Sequence, residues 1–333
     1  MAGIPLTRLW LRSLRTVDRS MNTLFDPLRL VASLPQALAL LSARRPRAVF
    51  TTGGYVSIPV LIAARLLRVP SLLWEGNRVP GRSVRAVARL ATAIAVSFEE
   101  TMAALPGRPY LTGTPIRSFS GRDRADARSR LGLEASSVPL ILVFGGSQVV
   151  RRLDDAVAAA LPELTARAIV LHITGEAALA AALERRAALP DDRGGRYRPH
   201  AVLHDEMTDA LVAADLIVGR AGSSTIAEVT ALGRPMIVVP YPHAAGHQMA
   251  NAQALAEVGA ATLIADEAFD GPALAAAAAI LDDPERLAEM ALASRAMGWP
   301  GAADANAELV LALAERRPLP SAVAVAAIAR GAP

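Results

Sequence analysis

Short β-rich runs alternate with helical stretches along this chain from about residue 47 onward. The strand candidates are AVFTTGG, PSLLWEGN, TAIAVS, PYLTG, PLILVFGGS, AIVLHITG, HAVLHDE, ADLIVGRAG, RPMIVVPYP and AATLIADE. Such alternation is typical of βαβ units, in which parallel strands form a sheet with helices on both faces. Ligands of such sheets bind beyond the carboxyl ends of the strands, so we expect the functional residues in the loops that follow the strands.

The chain has 333 residues, which favours two domains over one. A charged segment near residues 120–137 interrupts the pattern, which then restarts at PLILVFGGS. We therefore predict two α/β domains around a cleft, divided as follows: an N-terminal domain over residues 1–118, a connection over 119–137, a C-terminal domain over 138–300 and a helix and tail over 301–333. Residues 1–46 contain no convincing strand, so the first sheet is expected to be incomplete. Asp26 and Pro27 predict the start of a helix that runs to about Arg44.

Composition excludes several kinds of chemistry. The chain has no cysteine, and its 35 basic residues are all arginine. Disulfides, thiolate metal sites, cysteine nucleophiles, a P-loop lysine and a Schiff-base lysine are therefore ruled out. The formal net charge is only +4, and no nucleic-acid recognition motif is present, so we expect no nucleic-acid partner. No apolar run reaches the roughly 18 to 20 residues needed to span a bilayer.

Three strand candidates end in glycine pairs or Gly-Ser clusters: TTGGYVS (51–57), VFGGSQ (143–148) and GRAGSST (219–225). Glycine lets the backbone approach a ligand closely, and the N-terminus of the following helix offers free N–H groups and a positive dipole end. These loops together favour a diphosphate ligand. None of them matches G-x-G-x-x-G or G-x-x-x-x-G-K-[ST], which argues against NAD and against a P-loop nucleotide.

The stretch GRAGSSTIAE (219–228) has two interpretations. Thr225 and Glu228 have the spacing of a capping box, in which Thr225 is the helix N-cap and Glu228 reaches back to its N–H. Alternatively, the loop and the helix N-terminus bind an anion while Glu228 binds a sugar hydroxyl. The local sequence leaves both open.

Further polar residues follow other strand candidates: Glu75, Asn77, Arg117, His243, His247, Gln248 and Asn251. The two histidines straddle a loop and no carboxylate follows at helical spacing, so we expect no metal site there. Gln248 and Asn251 share a helix face that suits hydroxyl or phosphate contacts, with helix capping as the alternative.

Taken in order, these motifs resemble the MurG family of glycosyltransferases over residues 47–300, and more loosely from about residue 22. The resemblance implies a GT-B fold, with two Rossmann-like domains around a cleft. It also implies inverting transfer of N-acetylglucosamine from UDP-GlcNAc to lipid I, giving lipid II in peptidoglycan synthesis. No cofactor and no metal would be required.

The same resemblance implies roles for individual residues. Ser147 and the loop Gly222, Ser223, Ser224 and Thr225 would face the diphosphate. Glu228 would accept hydrogen bonds from the ribose, and uracil would lie against Met207 and the backbone of His204. Gln248 and Asn77 would contact the sugar, with Arg117 near the donor. Gly53, Gly54, Tyr55 and Ser57 would face the acceptor pyrophosphate.

The chain also departs from the family pattern. The family begins with a glycine-rich G-G-T-G-G-H loop whose histidine is a candidate base, and no such segment occurs here. We therefore expect the chain to begin one or two βα units late, and we assign the base role to Glu75. WEGN stands where the family has H-E-Q-N. Two alternatives stay open: a UDP-sugar-binding GT-B remnant with little turnover, and another GT-B glycolipid glycosyltransferase.

The arginine-rich N-terminal segment suits a peripheral position on the cytoplasmic face of the cell membrane. An apolar and basic surface for anionic lipids is predicted from the following residues: Leu6, Leu9, Trp10, Phe25, Arg8, Arg12, Arg15 and Arg29. The alternative is a set of ordinary amphipathic helices packed on a sheet.

Overall fold

The computed structural model describes residues 5–11, 26–133, 137–145, 151–242, 244 and 246–331, with the backbone alone for Asp26 and Pro27. The chain divides into two compact units, residues 1–113 together with 302–333, and residues 114–301. Each unit has one parallel sheet with its own helices. The predicted α/β class with two parallel-sheet domains is confirmed.

Ten strands occur in the described residues: β1 Val49–Thr51, β2 Ser71–Glu75, β3 Ala93–Val96, β4 Tyr110–Leu111, β5 Leu140–Phe144, β6 Ile169–Ile173, β7 Tyr197–His200, β8 Leu216–Gly219, β9 Met236–Val238 and β10 Ala261–Leu263. The α-helices of the same part of the chain are α1 Asp26–Arg44, α2 Ser57–Leu66, α3 Arg82–Val87, α4 Glu99–Ala103, α5 Arg124–Arg130, α6 Arg151–Arg167, α7 Glu176–Ala187, α8 Asp191–Gly194, α9 Glu206–Ala213, α10 Ser223–Ala231, α11 His247–Glu257, α12 Gly271–Ala278, α13 Pro284–Met297, α14 Ala302–Ala314 and α15 Ala322–Ala329. Within the described residues, no helix combines the length and the apolarity needed to cross a membrane.

The first unit has a four-stranded parallel sheet in the order β1-β2-β3-β4. Strands β2 and β3 are buried along their whole length, as expected for parallel strands covered on both faces. The predicted helix up to Arg44 is confirmed as α1, which packs against α2. The last two helices also belong to this unit, since α14 contacts β2 and α15 contacts β4. Residues 5–11 and 26–48 contain no strand.

The second unit has a six-stranded parallel sheet in the order β10-β9-β8-β5-β6-β7. The strand order reverses between β5 and β8, which is where ligands of such sheets bind. At this position Phe144 pairs with Gly219, and a Cβ atom on Gly219 would lie 2.7 Å from the carbonyl oxygen of Phe144. Glycine is therefore required for the two strand ends to approach each other so closely.

One predicted strand is wrong. HAVLHDE was expected to be a strand, but β7 lies earlier, at Tyr197–His200, and only His200 is shared. The strand includes Pro199, which lacks an N–H donor, and β7 is an edge strand of the sheet. Tyr197 and Pro199 are buried, whereas Arg198 and His200 are more exposed. A segment with a polar sequence therefore contributes two side chains to the core.

The charged segment after residue 119 is folded into the second unit. Asp123 caps helix α5 by accepting hydrogen bonds from the N–H groups of Ala125 and Asp126. Arg130 of this helix binds Asp209 of α9 through both carboxylate oxygens, at 2.9 and 3.0 Å. Helix α5 thereby fixes α9, the helix that contains Met207, one of the two predicted uracil contacts.

Candidate functional site

The loop after β8 leads directly into the N-terminus of α10. Gly222 is the N-cap residue with an extended backbone, and Ser223 is the first helical residue. The capping-box interpretation is wrong, because Thr225 lies inside the first turn rather than at the N-cap. The backbone N–H groups of the first turn of a helix have no carbonyl partner within the helix, and they carry its positive dipole end. This terminus has the chemistry of an anion site.

Glu228 lies one turn inside α10 and forms an ion pair with Arg117. The Nε atom of Arg117 is 2.8 Å from Oε1 of Glu228, and its Nη1 is 3.4 Å from the hydroxyl of Thr208. The Glu228 side chain is only 12% exposed. Burial raises the pKa of Glu228, and the neighbouring Arg117 opposes that rise. The structure therefore brings together two residues that were predicted to lie near the donor.

A cavity of about 840 Å³ lies beyond the carboxyl ends of β5, β6 and β7. Its walls include Phe144, Gly145, Thr174, Leu203 and Met207. A largely apolar cavity with a few polar groups is typical of a site for an aromatic base. Met207 thus lies where its predicted role requires an apolar wall. Ser147 falls outside the described residues, although Gly145 just before it lines the cavity.

The backbone of His204 already has partners within the chain. Its N–H donates to Oε2 of Glu206, and its carbonyl accepts from the N–H of Met207, both at 3.3 Å. These distances are long for N–H···O hydrogen bonds. A uracil base that bound the His204 backbone would therefore replace or share these two long hydrogen bonds.

Helix α11 supports the same end of the sheet. Oε1 of Gln248 accepts a hydrogen bond of 2.8 Å from the N–H of Tyr241, just after β9. Asn251 is fully buried, and its Nδ2 donates to the carbonyl of Ala221 at 3.2 Å. The two amides that were predicted to share a helix face thus hold the loops after β8 and β9. His243 lies outside the described residues.

In the first unit, the GGYVS loop joins β1 to the N-terminus of α2. Gly53 has a φ of +72°, and a Cβ atom there would lie 2.5 Å from Cγ2 of Val84. The hydroxyl of Ser83 donates to the carbonyl of Gly53 at 2.7 Å. Gly54, by contrast, faces open space. The loop is therefore a fixed turn in which nothing lies against Gly54. An anion can approach the backbone at such a position closely.

The end of β2 forms a hydrogen-bonded turn centred on Glu75. Its Oε1 accepts from the N–H and the Nδ2 of Asn77, at 2.9 and 2.8 Å, and its Oε2 accepts from the N–H of Gly81 at 2.8 Å. Thr101 binds the turn from outside by donating to the carbonyl of Asn77. The carboxylate thus orients Asn77, and its role as a base stays a prediction.

Four residues near the carboxyl ends of the strands in the second unit were not predicted from the sequence: Thr174, Thr208, Arg220 and Asp266. Thr174 and Arg220 each follow a strand directly, so their position in the sequence could have identified them as candidate site residues. Thr208 and Asp266 become relevant only through partners that are distant in sequence.

Two parallel α/β units, with glycine-containing loops between strand ends and helix N-termini, have the architecture of the GT-B fold. Residues 2–96 match the glycosyltransferase family 28 N-terminal domain, and residues 140–306 match the glycosyltransferase family 28 C-terminal domain. The chain belongs to glycosyltransferase family 28, so the family resemblance read from the sequence is confirmed.

Relatives with similar sequences share one name, UDP-N-acetylglucosamine–N-acetylmuramyl-(pentapeptide) pyrophosphoryl-undecaprenol N-acetylglucosamine transferase. The protein of that name from Chlorobium phaeobacteroides is 38% identical over 319 residues, which is 92% of this chain and 85% of the relative. The one from Desulforudis audaxviator is 40% identical over 299 residues, covering 86% of this chain and 79% of the relative.

The solved structures agree with this family. The crystal structure of MurG from Acinetobacter baumannii matches with a TM-score of 0.72 and 26% identity, covering 93% of this chain and 85% of that one. A structure described as a UDP-N-acetylglucosamine 2-epimerase from Listeria monocytogenes matches with a TM-score of 0.63 and 15% identity, covering 88% and 80%. The second likeness concerns the fold alone.

Proposed function

We propose that this protein transfers N-acetylglucosamine from UDP-GlcNAc to the muramyl 4-hydroxyl of lipid I, giving lipid II in peptidoglycan synthesis. The observation that carries this proposal is the buried Glu228 beside the open N-terminus of α10, at the point where the strand order reverses. An anion site next to a carboxylate fits the diphosphate and the ribose of a nucleotide sugar. The relatives with this name span most of the chain.

In the proposed donor complex, the diphosphate lies at the N-terminus of α10, near Ser223, Ser224 and Thr225. Glu228 accepts hydrogen bonds from the ribose, while uracil enters the cavity beside Met207. Ser147 and Arg117 provide further donors to the phosphates. The largely apolar surface of the cavity supports its use by a base, and the burial of Glu228 supports a specific contact with the ribose.

Gln248 is the proposed ligand of the sugar in the second unit. The NH₂ group of Gln248 donates to a hydroxyl of N-acetylglucosamine, since its carbonyl oxygen binds the Tyr241 N–H. Asn77, the other predicted sugar contact, belongs to the first unit, where Glu75 orients its amide. Gly53, Gly54, Tyr55 and Ser57 face the pyrophosphate of lipid I, where the N-terminus of α2 adds a positive dipole end.

The reaction is direct displacement at the anomeric carbon with inversion. The muramyl 4-hydroxyl forms the new bond as the bond to UDP breaks, and the departing diphosphate gains negative charge. Fixed N–H groups and the α10 dipole stabilise that charge, because they already point at the oxygens on which it develops.

Glu75 is the proposed base for the hydroxyl proton. It is the single acidic residue between Pro27 and Phe98, a stretch that contains ten arginines. Three N–H donors hold its carboxylate, and the second lone pair of Oε2 is the position for the proton.

The proposed location is the cytoplasmic face of the cell membrane, with peripheral attachment through the first unit. Leu6, Trp10, Leu28 and Val31 are all well exposed. Gln36 of α1 holds the segment that carries Leu6 and Trp10, because its side chain accepts from the Trp10 N–H and donates to the Arg8 carbonyl. Apolar side chains in an arginine-rich region suit anionic lipid headgroups. Phe25, Arg12 and Arg15 lie outside the described residues.

Calorimetric titration with UDP-GlcNAc, paired with a lipid I turnover assay, tests the proposal. Binding with formation of lipid II is the expected result. Binding without turnover would favour a UDP-sugar-binding protein. A protein that does not bind UDP-GlcNAc at all would contradict the proposed function.

A further inference from the structure

We infer that Arg220 is a positioning residue for Gln248, the side chain proposed to bind the sugar. Its buried guanidinium holds the chain segment after β9 in the place from which the Tyr241 N–H fixes the amide of Gln248. The inference rests on the proposed function, because that function assigns Gln248 to N-acetylglucosamine. Arg220 acts through Gln248 rather than through a contact of its own with the donor.

Arg220 follows β8 directly, and its side chain is only 6% exposed. Its Nη1 donates to Oδ1 of Asp266, an aspartate that lies after β10 and also pairs with Arg152 at 3.2 Å. The buried Nε of Arg220 has no hydrogen-bond partner among the described residues. A buried guanidinium depends strongly on the few partners it has, because an unpaired charge is costly away from water. Asp266 therefore holds Arg220 in one place.

The same guanidinium contacts the segment after β9 at two points. Nη1 also donates to the carbonyl of Val239 at 3.3 Å, and the guanidinium carbon lies 5.5 Å from the centre of the Tyr241 ring. At that separation the face of an aromatic ring attracts a cation. The N–H of Val239 in turn donates to the carbonyl of Gly219 at 2.9 Å. Because Val239 and Tyr241 are close neighbours in the chain, the backbone that carries the Tyr241 N–H has little freedom.

The Tyr241 N–H determines which way the Gln248 amide faces. It donates to Oε1 of Gln248 at 2.8 Å, and Gln248 lies in the first turn of α11. A glutamine amide has an oxygen that only accepts and an NH₂ group that only donates. With the oxygen bound to Tyr241, the NH₂ group is the part that serves the sugar. A displaced Tyr241 would let the amide turn over and present an acceptor where a donor is needed.

Helix α11 is tied independently to the loop that Arg220 begins. Nδ2 of the fully buried Asn251 donates to the carbonyl of Ala221, the residue after Arg220, at 3.2 Å. The position of the helix therefore does not depend on the Arg220 side chain, whereas the orientation of the Gln248 amide does. Loss of the Arg220 contacts should weaken the sugar contact and leave the N-terminus of α10 in place. Displacements of about 1 Å are enough to have large effects on a bound ligand.

Two substitutions weaken this chain of contacts at different points. Arg220→Lys keeps the charge beside Asp266 but removes the planar guanidinium that reaches Val239 and Tyr241 together. Tyr241→Leu removes the ring and keeps the backbone N–H. Tyr241→Phe is the conservative variant, because it keeps both the ring and the N–H. Arg167→Lys is the control for the first substitution, since Arg167 forms an ion pair on the surface of the same unit.

Calorimetry gives the Kd for UDP and the Kd for UDP-GlcNAc, and the ratio of the two reports on the sugar contacts. Gln248→Ala is the reference, because it removes the proposed sugar ligand directly. It should raise the Kd for UDP-GlcNAc by about fivefold, the effect of one hydrogen bond, with the Kd for UDP unchanged. Arg220→Lys and Tyr241→Leu should show the same pattern, whereas Tyr241→Phe and Arg167→Lys should keep the wild-type ratio. The melting temperature is measured alongside, since a purely structural role would lower it without changing the ratio.

Three results would overturn the inference in a wild type that binds UDP-GlcNAc. In the first, Arg220→Lys and Tyr241→Leu lower the affinity for UDP and for UDP-GlcNAc equally, or change neither. In the second, Tyr241→Phe loses as much sugar affinity as Tyr241→Leu, which would assign the effect to the hydroxyl. In the third, Gln248→Ala leaves the ratio unchanged, so that there is no sugar contact to position. A wild type that does not bind UDP-GlcNAc is a separate result, because the proposed function itself then fails, and the inference fails with it.

Discussion

Arg117 and Glu228 form an ion pair of 2.8 Å across 111 positions of sequence, within the second unit. The cation is 43% exposed and the carboxylate 12% exposed. Arg117 thus stabilises the charged form of a carboxylate whose burial favours the neutral form. A nucleotide that binds Glu228 must share this carboxylate with Arg117 or displace it.

Glu228→Gln should weaken UDP-GlcNAc binding more than it lowers the melting temperature. Hydrogen bonds to a charged acceptor contribute about 1.5 to 3 kcal/mol, so the Kd should rise at least about tenfold. The ionised carboxylate is destabilised by burial, so its loss costs the fold little. Calorimetry and thermal unfolding measure the two effects. The opposite ranking, a large drop in melting temperature with intact affinity, would assign Glu228 to the fold alone.

The affinity for UDP-GlcNAc should fall on acidification, because ionised Glu228 accepts hydrogen bonds from the ribose hydroxyls more strongly than the neutral acid does. Its pKa is raised above the ordinary value of 4.5, so the loss begins at a higher pH than for an exposed glutamate. Stability behaves oppositely: the folded form binds the proton more tightly, so this group stabilises the fold as pH falls through that window. Arg117→Gln removes the opposing cation and should shift the loss of affinity to still higher pH. Calorimetry at a series of pH values from neutral downward would show both effects, and an identical pH profile in the two proteins would contradict the coupling.

Gly219→Ala should destabilise the second unit by about 1 to 3 kcal/mol, because the new Cβ atom would press on a backbone carbonyl that cannot move aside. Urea unfolding gives the change in free energy of unfolding. Gly195→Ala is the matched control, since a Cβ atom there meets nothing within 4 Å. Equal stability of the two variants would show that β5 and β8 can separate without cost.

Glu75→Gln tests the base assignment. General base catalysis contributes about 100-fold or more, so kcat should fall by at least that factor with little change in the KM for UDP-GlcNAc. The new amide would also place N–H groups against the N–H donors of the turn, which costs about 1 to 3 kcal/mol of stability. Glu100→Gln, which removes a nearby surface carboxylate paired with Arg78, is the control. A variant with lower stability but an unchanged kcat would leave Glu75 with the orienting role alone.

Replacing Leu28 and Val31 of α1 together by serine should reduce flotation with vesicles that contain anionic lipids. The two side chains are 65% and 70% exposed in an arginine-rich region, so their loss removes apolar contact while the charge remains. Leu292→Ser in the second unit removes a side chain of similar exposure, 71%, and should have no effect. If the double variant floats as the wild type does, the surface is not the membrane contact. The same assay applies to Trp10→Ser.

The sequence identified the ends of the strands well, because βα alternation and glycine-rich loops are local patterns. It also singled out Glu228, which does lie at the reversal of strand order in the second unit. It could not predict that Arg117 pairs with this glutamate, because that contact exists only once the sheet is assembled. Strand β7 was misplaced for a related reason: Pro199 is acceptable only because the strand lies at the edge.

The place of residues 302–333 in the first unit could not be predicted from the sequence either. The helical pattern of α14 and α15 is visible in the sequence, but their docking on β2 and β4 depends on the assembled first sheet. Asp266 was missed because a lone aspartate after a strand has no distinctive spacing. Its two arginine partners are 46 and 114 positions away.

The return of α14 and α15 to the first unit determines the order in which this chain can fold during its synthesis. The second unit is one uninterrupted segment and has all its residues once Gly301 has left the ribosome. The first unit has its strands much earlier, yet Val325 and Ala329, which are fully buried in it, follow the whole second unit in the chain. The first unit is therefore completed after the second unit, although the strands of its sheet are made before it.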